Sequence, residues 1–276
     1  MGIKELTKKD TVKICIFYFS GTGNTAWSAH KLAEKLNAFN YQVKLVSCEH
    51  EMNIDSEINN CDMVGLAFPI HSSFAPLLFR EFLKKLPECT NKPLIALTTA
   101  GYVAGDVLWY TLKPLENKGY IPRVFSNIII GNNMHLPVLS PLRVTKPDRL
   151  PKKLEKAEKK IEKMASCIKE GTLHIEGIGP FGRLLGLVQR GIADNFESFA
   201  FKGFHSDEKC VQCGWCIKNC PNHSIEEDNE GVKFLDSCIL CMRCYSFCPY
   251  HAIQMTDKTK NMRKYKRYTG PEGKRS

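Results

Sequence analysis

Over the first 130 residues, short β-branched or aromatic runs alternate with amphipathic stretches, the pattern of a doubly wound α/β domain with a parallel sheet. Strands are predicted at Val12–Phe19, Gln42–Val46, Asp62–Phe68, Leu94–Thr98 and Val124–Ile130. Between them fall helix candidates at Thr25–Leu36, Ser56–Asn59, Pro76–Leu86 and Gly105–Asn117. Five strands and four connections suit the sheet order 2-1-3-4-5, whose ligand crevice lies beyond the carboxyl ends of strands 1 and 3. Chemistry is therefore expected in the loops that leave those strands.

From Gly131 to His205 the pattern is less regular. Proline-rich loop sequence at Pro137–Pro151 precedes a Lys/Glu-rich helix at Leu154–Lys169, whose Ile161, Met164 and Ile168 share one face and which is expected to close the first domain. Gly177, Gly179, Pro180 and Gly182 then lead into LLGLVQRGIADNFESFAF, amphipathic enough to pack across a domain interface. Its short length and mixed charge suit a membrane surface less well. The expected division is a first domain over residues 1–170, a linker or interface segment over 171–205, a cysteine module over 206–257 and a basic tail over 258–276. The chain is 43% hydrophobic and 25% charged, as soluble globular proteins are, and the first residues lack an apolar signal segment. It holds no run of about 18 apolar residues. A cytoplasmic protein without a transmembrane segment is expected.

Eight of the 13 cysteines crowd between Cys210 and Cys248, which points to metal rather than to a disulfide framework. Cys210, Cys213, Cys216 and Cys220 precede Pro221, and Cys238, Cys241, Cys244 and Cys248 precede Pro249, giving two complete C-x2-C-x2-C-x3-C-P runs. In such runs three thiolates hold one 4Fe-4S cluster while the fourth reaches the other. Cluster one is thereby assigned to Cys210, Cys213, Cys216 and Cys248, and cluster two to Cys238, Cys241, Cys244 and Cys220. A pair of zinc sites is the rival; zinc needs two C-x2-C pairs per ion and no further cysteines in phase. Trp215 and Tyr245, taken as matching positions of the two runs, read as packing over the clusters, and His223 and His251 as turn residues. Cys15, Cys48, Cys61, Cys89 and Cys167 read as small buried hydrophobes.

After the first strand comes Ser20-Gly21-Thr22-Gly23-Asn24-Thr25, opening into a helix. Glycines let the backbone approach a phosphate, the helix N-terminus supplies amides, and three hydroxyls add donors. Gly21, Gly23 and Ala26 also satisfy a GxGxxA dinucleotide fingerprint. That reading wants an acidic residue about 20 positions on, whereas the nearest candidate, Glu49, lies 28 residues after Gly21. A monophosphate such as that of FMN suits the hydroxyl cluster better.

The run resembles the phosphate loop of flavodoxins, T/S-x-T-G-x-T, and Lys209–Met255 resembles the two-cluster bacterial ferredoxin with every ligand matched. Together they resemble the flavodoxin-ferredoxin fusion proteins of bacteria and archaea, found largely in anaerobes. The resemblance implies an α/β flavodoxin-like doubly wound parallel sheet (order 2-1-3-4-5) with a smaller α+β two-cluster ferredoxin-like domain. It also implies FMN and two 4Fe-4S clusters as cofactors. Loops Phe68-Pro69-Ile70-His71-Ser72-Ser73-Phe74 and Thr99-Ala100-Gly101-Tyr102 should then cradle the flavin ring, with Tyr102 or Phe74 against its face. His71 could donate a proton or touch substrate, and Asn133 and His135 could reach over the flavin edge.

The implied function is intracellular electron transfer between FMN and the clusters, passing low-potential electrons to or from a redox partner protein. The alternative is an FMN-dependent reductase of a quinone or other small acceptor, fed by its own clusters. A cluster-based oxygen sensor fits the intact ligand set least. The net charge of +10 raises the question of nucleic acid, but bound clusters and FMN would lower it to about +4. No nucleic-acid partner is expected. The basic stretches Lys152–Lys163 and Lys258–Ser276 read as solvated surface or as a docking face for an acidic redox partner.

Overall fold

Six parallel strands form the central sheet in the order β2-β1-β3-β4-β5-β6. The computed structural model describes residues 11–71, 74–135, 137, 142–193 and 203–271, without the side chains of residues 192 and 193. Ser72, Ser73, residues 138–141 of the proline-rich loop and the segment 194–202 lie outside the described residues. The strands are β1 (Val12–Tyr18), β2 (Tyr41–Ser47), β3 (Met63–Pro69), β4 (Lys92–Ala100), β5 (Tyr120–Ile129) and β6 (His174–Ile175). The first five have the flavodoxin-like order. β6 continues the sheet beyond β5 from within the stretch expected to be a linker.

Alternation along the strands sends side chains to two apolar layers, as a sheet covered on both faces requires. Ile14 and Ile16 of β1 join one layer with α1 (Asn24–Asn37) and α5 (Leu150–Glu170). Cys15 and Phe17 join the other, with α2 (Ile54–Asn59), α3 (Leu77–Lys84) and α4 (Val107–Leu112). In α5 the apolar positions Ala157, Ile161, Met164, Ala165 and Ile168 are buried on one face, and Gly171 closes the helix at φ 67°, a conformation glycine adopts without penalty.

α6 (Pro180–Ala193) departs from the expected interface packing. Gly182 comes against the backbone of Gly177 and Gly186 against Asp106, too close for a Cβ, and Arg190 binds the Asp106 carboxylate at 2.6 and 3.2 Å. Its polar and small residues thus face the protein. Phe181, Leu184, Leu187 and Val188 face solvent, Phe181 at 79% exposure. A two-pronged ion pair over the Tyr110 ring, 3.9 Å from the guanidinium, fixes the helix the apolar way out.

The cysteine module has its own core of Phe204, Ile225, Val232, Leu240, Met242, Tyr245, Ile253 and Met255. It comprises β7 (His205–Ser206), α7 (Trp215–Lys218), β8 (Ile225–Asp228), β9 (Gly231–Phe234), α8 (Arg243–Phe247) and β10 (Ile253–Gln254). β7 pairs with β10 and β8 with β9, both antiparallel. The basic tail is not wholly solvated surface. Arg267 is buried, donating to the carbonyls of Tyr245 and His251 and to Gln254 Oε1, with its guanidinium 3.4 Å over the Tyr245 ring. Tyr268 is buried in the layer beneath α1 and donates to Asn24 Oδ1 at 2.6 Å. Three carbonyl and amide acceptors compensate the Arg267 charge, which is why a basic residue is tolerated there.

Among the described residues no helix is long and apolar enough to cross a membrane. Ile161→Ala, at a fully buried position of α5, is expected to cost about 2–5 kcal/mol through lost burial and the cavity left behind. Chemical denaturation followed by tryptophan fluorescence measures it; an unchanged midpoint contradicts the core described.

Candidate functional site

Two cavities in the module are ringed by cysteines. One, of about 330 Å³, is lined by Cys210, Cys213, Cys216 and Cys248; the other, of about 360 Å³, by Cys220, Cys238, Cys241 and Cys244. These are the two crossed sets that the spacing yields. Among the described residues no three His, Cys, Asp or Glu side chains converge to hold one metal ion. Four thiols around a space, rather than around a point, fit a cube-shaped cluster and not a tetrahedral zinc ion. Burial pushes the Cys216 thiol up to about 11 and that of Cys241 to about 12, so charge on these sulfurs calls for a bound cation to offset it.

The repeats agree in backbone detail. At an offset of 28 residues, Gln212 and Leu240, Gly214 and Met242, and His223 and His251 all have left-handed φ between 48° and 70°. The amides of Ser224 and Ala252 donate to the sulfurs of Cys220 and Cys248 at 3.2 and 3.3 Å, bonds of the kind that tune cluster potentials. His223 and His251 are thus turn residues. Counted from the cysteines, the residue opposite Trp215 is Arg243, not Tyr245. Trp215 stands edge-on to Phe247 at 6.5 Å, while Tyr245 lies under Arg267.

A third hollow, about 720 Å³, opens at the carboxyl edge of the sheet. Ser20, Gly21, Thr22, Asn24 and Thr25 line it from the loop after β1, Pro69, Ile70 and His71 from the loop after β3, and Thr99, Ala100 and Gly101 from the end of β4. Gly23 does not line it but sits at φ 94° as the N-cap of α1, where no side chain caps the helix, with Pro271 against it. The first-turn amides of α1 are thereby left for a ligand. Ser20 Oγ is buried without a hydrogen-bond partner among the described residues. Asn133 donates from Nδ2 to Thr22 Oγ1 at 2.8 Å, and Thr25 and Thr99 share a hydroxyl contact of 2.7 Å. An orphaned hydroxyl beside an uncapped helix start is a donor set that suits a phosphate.

The rings expected in the cleft or against the flavin face lie elsewhere. Phe68 turns into the core against Phe79 at 4.8 Å because strand alternation points it away from the cleft. Tyr102 is half exposed and donates to the Arg143 carbonyl at 3.1 Å; Phe74 packs edge-on to Tyr110. His135 stacks on Tyr265 at 4.6 Å, beside the cleft rather than in it. Asn133 does line the cleft, with Asn132 and Met134 beside it, and so do two residues of the cysteine module, Leu240 and Met242. These two were missed. Their signal was present in the repeat: bulky apolar side chains where the first run has Gln212 and Gly214.

Three further contacts join module and cleft. Gly21 abuts the Cys241 carbonyl so closely that only glycine fits, His71 Nδ1 lies 3.2 Å from the Ile239 carbonyl, and Arg243 binds the Glu49 carboxylate with two hydrogen bonds of 2.7 and 2.8 Å. Glu49, the acidic residue a dinucleotide reading would use, is thus engaged by Arg243. Burial lowers the His71 pKa to about 4, so its ring is neutral with the proton on Nδ1, donated to Ile239, and Nε2 an acceptor.

Residues 209–253 match the 4Fe-4S dicluster domain family. The chain joins a flavodoxin-like fold to a 4Fe-4S dicluster domain. The first part is similar to a flavodoxin from the domain Archaea, at 14% identity and a TM-score of 0.40 over 57% of this chain and 99% of that one. It is also similar to two-electron reduced Megasphaera elsdenii flavodoxin, at 19% and 0.42 over 57% and 98%. Rubredoxin oxygen:oxidoreductase from the anaerobe Desulfovibrio gigas aligns at 18% and 0.39 over 61% of this chain and 38% of that one. No curated protein sequence matches. The fold assignment rests on the strand order, and the dicluster assignment on the family match together with the crossed cavities.

Two outcomes check this geometry. Cys220→Ser, although in the first run, is expected to alter the EPR signal of the cluster whose other ligands come from the second run, and Cys248→Ser the converse; uncrossed effects refute the assignment. For His71, the unfolded chain binds a proton below about pH 6.5 and the folded one only below about 4. Stability relative to His71→Gln is therefore full above about pH 6.5 and falls as pH drops towards 4, which denaturation at stepped pH reads.

Proposed function

We propose that this protein passes electrons between FMN in the cleft and the two clusters of the dicluster domain, exchanging them with a redox partner protein. The observation that carries the reading is the shared wall: Leu240 and Met242, flanking the cluster-two ligand Cys241, line the cleft itself. Cys216 and Cys248 of cluster one and Cys238 and Cys244 of cluster two pack into the same core. Cys213 of cluster one is exposed. The order is then cleft, cluster two, cluster one, solvent.

When bound, FMN exchanges one or two electrons and each cluster one. The hydroxyls of Ser20, Thr22 and Thr25 and the start of α1 would hold the phosphate, while Ile70, Met134, Leu240 and Met242 would enclose the ring. No aromatic ring other than that of His71 lines the cleft among the described residues. Apolar thioether and aliphatic walls exclude water without a stacking partner. His71, its Nδ1 proton committed to Ile239, offers Nε2 as a hydrogen-bond acceptor.

Anaerobic reconstitution followed by metal, sulfide and flavin analysis tests the proposal, with about eight irons and about one FMN expected per chain. Stepwise reduction under visible and EPR spectroscopy should show flavin and clusters equilibrating without an added mediator. Zinc in place of iron, or clusters without flavin, overturns it. Rapid turnover of a small quinone by the loaded protein would favour the reductase alternative over a carrier.

A further inference from the structure

Arg243 sits between the cluster-two ligands Cys241 and Cys244 and uses every donor of its guanidinium. Nε donates to the Gly21 carbonyl at 3.1 Å, Nη1 to Glu49 at 2.8 Å and the Asn219 carbonyl at 3.0 Å, and Nη2 to the Ser20 carbonyl and Glu49, both at 2.7 Å. Two of these acceptors belong to the phosphate loop. Peptide units are planar and trans, and this chain has no cis bond among its described residues, so each N–H points opposite to the carbonyl it is joined to. Holding the Ser20 and Gly21 carbonyls on the module side turns the Gly21 and Thr22 amides towards the cleft. Among the described residues neither amide meets a protein acceptor.

We propose that Arg243 is a positioning residue for flavin phosphate, the dicluster domain thereby completing a phosphate site that the flavodoxin-like fold does not finish alone. The inference rests on the reading of the cleft as an FMN site. Its effect is orientation rather than attraction, because the Glu49 carboxylate lies against the same guanidinium and offsets its charge. The repeat supports this independently. The two halves agree in every ligand and in their left-handed turns, yet where the first has Gln212, Gly214 and Trp215 the second has Leu240, Met242 and Arg243. Among the positions at which the halves differ, these three meet the flavodoxin-like domain: two line the cleft and the third grips its loop. Met242 holds a left-handed φ of 64° that glycine holds without strain in the other repeat, so its side chain is kept at a conformational cost.

The experiment compares FMN with riboflavin, which lacks the phosphate, by fluorescence quenching on iron-matched preparations of the full chain. Arg243→Gln is expected to weaken FMN about thirtyfold and riboflavin less than about threefold. Arg243→Lys, which keeps the charge but not the planar fork, should weaken FMN about tenfold. Glu49→Gln, on the other domain and away from the cysteine ligands, should weaken FMN a few-fold with riboflavin unchanged. Equal loss of both flavins in the Arg243 variants, full retention of FMN, or rescue by lysine overturns the proposal. Wild-type protein that binds neither flavin overturns the reading of the cleft instead.

Discussion

Close contact between the loop Ile239–Arg243 and the loop Ser20–Gly21 is the constraint on which the rest of the molecule turns. At that seam the Cys241 carbonyl reaches a glycine, a guanidinium satisfies five N–H groups, and Leu240 and Met242 enter the cleft. Each element is costly alone: a buried arginine loses hydration, and a left-handed methionine is strained. Together they are mutually satisfied, because the acceptors that compensate the arginine are the loop carbonyls and carboxylate that must be held in place for the cleft to keep its shape. Domain docking and site construction are one event here. A buried ion pair of this kind is weak evidence for stability but specifies which surfaces meet and in what register.

Much of this was legible in the sequence. Five strands emerged from their apolar runs, and the crossed cysteine sets from spacing, because both are governed by local periodicity. The loop after β1 was equally clear as part of the cleft wall, since its run of glycines and hydroxyls stands out in the sequence itself. What stayed hidden depends on contacts between distant residues. Phe68 and Tyr102 were assigned to the cleft by neighbourhood in the chain, yet side-chain direction is set by strand pleat and by packing against Phe79 or the Arg143 carbonyl. Arg267 and Tyr268 read as a charged tail because nothing near them in sequence reveals that Tyr245, Gln254 and Asn24 await them. The outward apolar face of α6 was unreadable for the same reason: amphipathicity says that a helix has two faces, and only the Asp106–Arg190 pair says which one turns inward.

Asymmetry between repeats that share every ligand and three left-handed turns is the most informative feature the sequence held unread. Duplicated ligand runs with matching left-handed turns make each half a control for the other. Of the positions that differ, Leu240, Met242 and Arg243 meet the neighbouring domain, whereas Tyr245 and Phe247, opposite Ile217 and Asn219, pack against Arg267 and Trp215. Cluster one keeps Gly214 and an exposed thiol where cluster two has Met242 and a buried one. One half is fitted to an interior surface and the other to the outside.

The Tyr268–Asn24 hydrogen bond joins residues 244 positions apart, and Pro271 rests against Gly23 in the same place. During synthesis the loop after β1 leaves the ribosome well before residue 271, and these closing contacts cannot form until that residue has followed. Closure of that loop is therefore tied to the chain that follows the cysteine module.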